Sequence, residues 1–305
     1  MKQAIKEAAR FAHSLASKSR SIAKLHISFL SAISRMIDHP GLSQRISNSV
    51  SQISWPSLDF APRRVRAAGV EMFLYPHIGE HDAEVLFSRT ITYEASSFVW
   101  FGREASKFDA IIEIGANVGV FTVFFDQLAR RPNVRLSRIY SFEPAPVAFE
   151  RLRRNVEANQ CTHVVLRNAA VGEQSGTLPF YEPEGHLTNG TLDRAFAEQI
   201  PANVVERMVP VVGPQELEPL FAQHESVLLK IDVEGYEPKL ITALAQIIVR
   251  FRPTITVEVL EGTVLALNSL ECFRGYLKYL LDDNVSEHPR VFASSAHRDW
   301  LLVPR

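Results

Sequence analysis

The chain has 305 residues, 46% of them hydrophobic and 22% charged, with a formal net charge of −1. That length and apolar content can bury a sizeable core, and the near-neutral balance gives no bulk attraction to nucleic acid, so no nucleic-acid partner is expected. The two cysteines, Cys161 and Cys272, form no CxxC pair; this argues against a disulfide framework or a structural zinc site and fits a reducing, cytoplasmic setting.

The first sixty residues differ in composition from the rest. Met1–Asp59 is rich in Ser, Lys and Arg, with only Glu7, Asp38 and Asp59 as acids. Within it, Ile22, Leu25, Phe29, Ile33, Met36 and Ile37 recur at helical spacing. Three readings fit: a helical arm packing on the main domain or a partner, a peripheral membrane-surface helix, and an organelle transit peptide. A secretory signal is not expected, because no compact apolar stretch with a small-residue cleavage site follows the basic start. Nor does any run of about 18 uncharged apolar residues suggest a membrane span. Trp55-Pro56 and Pro62 break the helical pattern. We therefore expect a basic helical arm over 1–60 and the main domain over 61–305.

From Asp109 the pattern alternates. Strands are predicted over Asp109–Ile114, Arg138–Phe142, His163–Arg167, Val227–Ile231, Thr254–Val259 and Trp300–Val303, and helices over Val118–Ala129, Ala145–Asn159 and Glu237–Val249. Such alternation implies an α/β fold with a mostly parallel sheet covered on both faces. Ligands of such sheets bind beyond the carboxyl ends of the strands. Polar residues cluster there: Glu113 with Gly115-Ala116-Asn117, Glu143-Pro144, Asn168-Ala169, the Asp232-Val233-Glu234-Gly235 turn, and Glu258.

The first cluster, IIEIGANVGVFT, is a glycine turn between strand and helix, where the backbone can approach a ligand closely. It is not a dinucleotide fingerprint: Gly115 and Gly119 are four apart with Asn117 between them, and the next strand-end acid, Glu143, follows Gly115 by 28 residues. A GxxxxGK[ST] phosphate loop is also missing. A nucleoside without pyrophosphate fits better. Glu143 can accept from two ribose hydroxyls, and acids beside the turn suit a positively charged ligand. S-adenosylmethionine meets these conditions.

IIEIGANVGVFT, IYSFEPAPVAFERLRRNVEAN, VVLRNAAVGEQSGTLPFY, LLKIDVEGYEPKLITAL and TITVEV together resemble the FkbM family of methyltransferases, in order and spacing over about residues 90–305. Glu113 departs from the Asp more usual there, without a change of charge. The resemblance implies the Rossmann-like class I methyltransferase fold, a seven-stranded sheet with an antiparallel last strand. It implies S-adenosylmethionine as cofactor and O-methylation of a sugar, glycan or small natural product. N- or C-methylation, or a non-catalytic scaffold, are the alternatives; the intact Gly115, Glu143 and Asp232 blocks argue against the scaffold.

The resemblance also implies roles. Glu113, Gly115, Asn117 and Gly119 resemble the family's first cofactor motif, in which Gly115 and Asn117 would hold the methionine end. Glu143 takes the ribose, Pro144 fixes its turn and starts the next helix, and Asn168 and Ala169 border the adenine. Asp232 could contact the methionine amino group. Asp232 and Glu234 could act as general base or, with Glu258, bind Mg²⁺, which would lower the pKa of a substrate hydroxyl. His186, in the polar loop Glu184–Thr191, is a further candidate base on a lid. Tyr93-Glu94 could close over the cofactor.

Overall fold

A computed structural model of the chain describes residues 12–14, 16–51, 58–78, 83–282 and 290–305. The chain divides into two compact units, Met1–Tyr93 and Glu94–Arg305. The break expected at Trp55-Pro56 lies outside the described residues. Pro62 directly precedes a strand, and the first unit runs on past it.

In the first unit, a helix over Arg20–Ile37 is followed by one over Pro40–Ser51, a hairpin of β1 (Arg63–Ala67) and β2 (Val70–Leu74), and a short helix over Glu84–Phe87. Asp38, at φ 48°, ends the first helix by donating its N–H to Ser34 O. The apolar stripe that marks this helix in the sequence is not its packing face. Ala23, Ile27, Ser31 and Ser34 are buried, whereas Ile22, Leu25, Phe29, Met36 and Ile37 are exposed. Ala23 and Ile27 join Val50, Leu58, Phe60, Leu86 and Phe87 in one core. Ser31 and Ser34 donate to the carbonyls of Leu86 (2.5 Å) and Phe87 (2.6 Å), which the short helix leaves without internal partners.

The second unit is built on a seven-stranded sheet. Its strands are β3 (Ala110–Ile114), β4 (Arg138–Phe142), β5 (Val164–Arg167), β9 (Val227–Ile231), β10 (Thr254–Glu258), β11 (Tyr276–Leu280) and β12 (Asp299–Pro304). They lie in the order β11-β12-β10-β9-β3-β4-β5. β3, β4, β5, β9 and β10 pair in parallel, and β12 runs antiparallel to both of its neighbours. Seven strands with the last one reversed is the Rossmann-like class I arrangement that the resemblance implied. β3 and β9 are buried at every position, as strands covered on both faces should be. On one face Ile112, Leu229, Ile231, Ile255 and Val257 join Leu240, Ile247 and Ile248 of the following helices. Toward the other, Phe98 stacks on Phe121 (4.2 Å between centroids), and Phe101 meets Phe125 edge-on (4.9 Å), linking the helices Ala95–Glu104 and Val120–Ala129.

Three elements depart from the sequence reading. Tyr276–Leu280 supplies the seventh strand, which the periodicity did not single out. The helix foreseen over Glu237–Val249 is two, Glu237–Ala243 and Ala245–Phe251, joined at the fully buried Leu244. A second sheet, β6 (Ala170–Val171), β8 (Val204–Val212) and β7 (Gly176–Pro183), occupies a region where the sequence reading placed no strand. Pro179, Pro183 and Pro210 lie within these strands, and proline argues against strand in a sequence.

Asp126 ties the Val120–Ala129 helix to the start of β5. Its Oδ1 accepts from the backbone N–H groups of Thr162 (3.0 Å) and His163 (2.9 Å), and its Oδ2 lies 2.8 Å from Arg130 Nε. The side chain is fully buried, so truncation strands several donors at once. Asp126→Ala should lower stability by about 3–5 kcal/mol in urea unfolding; a loss below about 1 kcal/mol would count against this tie.

Candidate functional site

The carboxyl edge of the sheet is drawn together at Gly115. A Cβ built on it would lie 1.7 Å from the carbonyl oxygen of Asp232, and its φ of 89° also favours glycine. The ends of β3 and β9 thus meet backbone to backbone, with Asp232 N donating to Ile114 O at 3.0 Å. Gly115 and Ala116 both donate to Phe142 O, the last residue of β4. Asn117 adopts φ 49° and donates its N–H to Glu143 Oε2 at 2.8 Å. Its Oδ1 is buried without a hydrogen-bond partner among the described residues, an acceptor left for a ligand. Gly119, at φ 83°, caps the Val120–Ala129 helix.

Glu143 is 6% exposed and anchored at both oxygens, Oε1 accepting from Ala145 N at 2.8 Å. Each oxygen keeps a second lone pair for a hydroxyl donor. Burial pushes its pKa to about 7, against the opposing pull of the Ala145 and Asn117 N–H groups. Asn168 braces this turn: its Nδ2 donates to Glu143 O (2.8 Å) and Pro144 O (3.2 Å), beside the buried Ala169. The helix begins at Pro146, so Pro144 shapes the turn but does not start the helix.

Glu113 lies beneath the turn, 1% exposed, with its Oε2 accepting from Thr122 Oγ1 (2.5 Å) and Ser141 Oγ (2.9 Å). Across the sheet it is in register with Lys230. Lys230 is 6% exposed, its Nζ 2.9 Å from Asp232 Oδ2 and 4.8 Å above the Phe121 ring. Burial would lower its pKa, but Asp232 first, then Glu94, Glu113 and Asp299, hold the ammonium above its usual range.

Further acids gather beyond it. One carboxylate oxygen each from Asp232, Glu234 and Glu258 lie within 4.8 Å of one another. Burial, then Asp232, raises Glu234 to about 8. Burial, then Asp232 and Glu234, raises Glu258 to about 10. Glu258 Oε2 is buried without a partner among the described residues, while Oε1 meets Arg298 only at 3.5 Å. Glu94 is solvent-open as a residue, yet its carboxyl is crowded by protein and by Asp299 and is raised too. Asp299, which accepts from Ser97 Oγ, is raised mainly by burial. An edge with so many carboxylates around one buried ammonium is short of positive charge. Oxygen donors at this spacing are the set a hard divalent cation takes. A sulfonium or ammonium group would answer the same deficit.

Glu234 sits at φ 51°, followed by Gly235 at 88°. A left-handed glutamate is uncommon, and such residues concentrate at functional sites. Glu237 organises this turn, its Oε1 accepting from Val233 N (3.0 Å) and Gly235 N (3.3 Å). Over the turn lies the segment Leu187–Asn189. Asn189 Nδ2 reaches Glu234 Oε2 at 3.3 Å, and Thr191 Oγ1 reaches Val233 O at 3.3 Å. His186 is exposed at the start of this one-turn helix, so the contact to the acids comes from Asn189.

The structure therefore brings together Glu94, Gly115, Asn117, Glu143, Asp232, Glu234 and Glu258, and it adds Lys230, Glu237 and Asn189. Lys230 carried a readable signal: it is the one charge inside the otherwise apolar VLLKI. Glu237 reads as an ordinary acidic first turn.

Residues 113–277 match the family model described as the Methyltransferase FkbM domain. A curated protein of Streptomyces tacrolimicus, 31-O-demethyl-FK506 methyltransferase FkbM, is 29% identical over 116 residues, covering 37% of this chain and 41% of that protein. The chain thus matches about two-fifths of that relative's length. Among solved structures, methyltransferase FkbM from Methylobacillus flagellatus KT aligns with TM-score 0.39 and 11% identity over 73% of this chain and 54% of that one. TYW2 of M. jannaschii, solved with AdoMet, aligns with TM-score 0.37 and 12% identity over 82% and 87%.

Two outcomes follow from the geometry. In Gly115→Ala the new methyl group cannot coexist with the Asp232 carbonyl. Unfolding by urea should show a loss of at least about 3 kcal/mol, and wild-type stability would contradict the close approach. Glu143 and Glu237, both raised by burial from 4.5 to about 7, keep protons in the fold that the unfolded chain has released. Stability should therefore fall as pH rises from 4.5 to 7, and Glu237→Gln should flatten that fall by about 1.4 kcal/mol per pH unit at most. Melting temperatures that rise over this window would refute the assignment.

Proposed function

The chain belongs to the FkbM methyltransferase family, and from that premise we propose that it transfers a methyl group from S-adenosylmethionine to a hydroxyl of a sugar, glycan or small natural product. One observation carries the reading: the excess of carboxylates over cations at the carboxyl edge, where Glu143, Asp232, Glu234 and Glu258 converge around the Gly115 turn. A ligand bearing a sulfonium and an amino group is matched to that field. The name of the Streptomyces relative, a 31-O-demethyl-FK506 methyltransferase, supports an oxygen acceptor on a natural product.

When bound, the cofactor supplies a methyl group on an electrophilic sulfonium. The chain's own residues do the rest. Glu143, fixed by two backbone N–H groups, offers its remaining lone pairs to the ribose hydroxyls. The Gly115–Asn117 backbone and the unpartnered Asn117 Oδ1 line the methionine end. Lys230 fixes Asp232 by their 2.9 Å contact. Glu234, with a pKa of about 8, holds a proton at neutral pH; once a bound cation displaces it, the carboxylate would take the proton that the acceptor hydroxyl loses. Asp232, Glu234 and Glu258 would hold a Mg²⁺ ion by their oxygens, and such an ion lowers the pKa of a bound hydroxyl. The Leu187–Asn189 segment, tied to Glu234 through Asn189, restricts water at this side.

Equilibrium binding of S-adenosylhomocysteine to the purified protein tests the reading, and no binding would overturn it. Glu143→Ala should weaken that binding by about 10²–10⁴-fold, from two lost hydrogen bonds to a charged acceptor. Glu234→Gln should retain cofactor binding and lose about 10²–10⁴-fold in turnover. Turnover unchanged in that variant, with and without chelator, would remove both the base and the cation role.

A further inference from the structure

We propose that the helix Arg20–Ile37 is an interfacial anchor, which lays its outward apolar stripe into an anionic lipid surface. Ile22, Leu25, Phe29, Met36 and Ile37 are 55%, 74%, 62%, 76% and 53% exposed. Successive helical residues are about 100° apart, so these five fall on one side of the helix, with the half-buried Ile33 among them. The opposite side is the one committed to the protein: Ala23 and Ile27 lie in the core, and Ser31 and Ser34 hydrogen-bond to Leu86 O and Phe87 O. An amphipathic helix normally turns its large apolar residues inward. Here the small and hydroxyl-bearing side packs, and the large apolar side chains face out. Five of them in one patch exceed the scattered exposure that any soluble surface shows.

Charge selects the occupant. Residues 12–51 hold five Lys and Arg and one acid, Asp38, in a chain whose overall charge is −1. The helix itself contains no acid. Lys18 and Lys24 are exposed, and the 100° step per residue places Lys24 on the polar side of the helix, away from the stripe. Arg35 donates to the backbone carbonyls of Val85, Ser88 and Arg64, and Asp38 is the one carboxylate that acts on its charge among the described residues. The Arg20–Asp59 pair is exposed at both ends and contributes little. An apolar stripe on an acid-free, basic helix is the chemistry of peripheral binding to a negatively charged bilayer. None of the described helices is long and apolar enough to cross one, which suits a helix that lies in the surface plane.

The test is co-sedimentation of the full chain with vesicles of phosphatidylcholine alone and of phosphatidylcholine with 30% phosphatidylglycerol. The expected result is binding to the anionic vesicles at low salt, at least tenfold stronger than to the neutral ones and weakened at least tenfold by 0.5 M salt. The double variant Leu25→Ser/Phe29→Ser should lose at least tenfold in vesicle binding. Its melting temperature should be kept, because neither side chain is buried in the fold. Lys24→Glu should weaken binding to the anionic vesicles alone. No vesicle binding, equal binding by the double variant, or a stripe-dependent dimer that sediments without lipid would each overturn the proposal. None of these readouts depends on methyl transfer, so the two conclusions stand or fall separately.

Discussion

Lys230 Nζ lies 2.9 Å from Asp232 Oδ2 at the carboxyl end of a central strand that is buried along its whole length. An ammonium in such a place is costly unless it is paired, and here several carboxylates over-compensate it. The rest of the edge follows from that arrangement. Lys230 holds the Asp232 side chain in place, and the Asp232 carbonyl in turn leaves room at Gly115 only for glycine. Gly115 and Ala116 reach Phe142 O, and Asn117 reaches Glu143. The turns after three neighbouring strands are thereby linked by backbone contacts and short side chains, and none of them depends on a long flexible loop. Two of the remaining acids, Glu234 and Glu258, are left with protons that they would release to a cation, and burial shifts Asp299 in the same direction.

Much of the second unit was legible because its signals are local. Arg138–Phe142 and Val227–Ile231 are the strands that the sequence predicts, residue for residue, since parallel strands buried on both faces read as short apolar runs. The glycine turn was readable from Gly115 and Gly119, whose positive φ the structure requires. β7 and β8 were hidden by their prolines, and β11, YLKYL, alternates too briefly to stand out. In the site, residue types at strand ends could be named in advance, but their mutual contacts could not. That Glu143 is held by Asn117 N across 26 residues, or that Asn189 rather than His186 reaches Glu234, depends on how separate loops meet in space.

The first unit teaches a different limit. Period alone located the helix Arg20–Ile37, because apolar residues recur every three or four positions. It could not tell which side would be buried. Ser31 and Ser34 look like surface residues in a sequence, yet they satisfy the terminal carbonyls of a helix some fifty residues on. A hydroxyl that completes a hydrogen bond can outcompete a larger apolar group for an interior position when the neighbouring surface offers bare carbonyls.

The doubly anchored Glu143 has a thermodynamic consequence. With a pKa of about 7, close to half of the molecules hold this side chain as the neutral acid at neutral pH. Ribose hydroxyls are best received by the anion. In the ribose role proposed above, loading the site would drive a proton into solution, and the fraction released per binding event would fall as the pH of the medium rises. The heat of loading would carry the ionisation enthalpy of whatever buffer accepts that proton. In that proposed role, occupancy would respond to modest acidification without any change in ligand concentration, and Glu143 would make the site sensitive to the acidity around it.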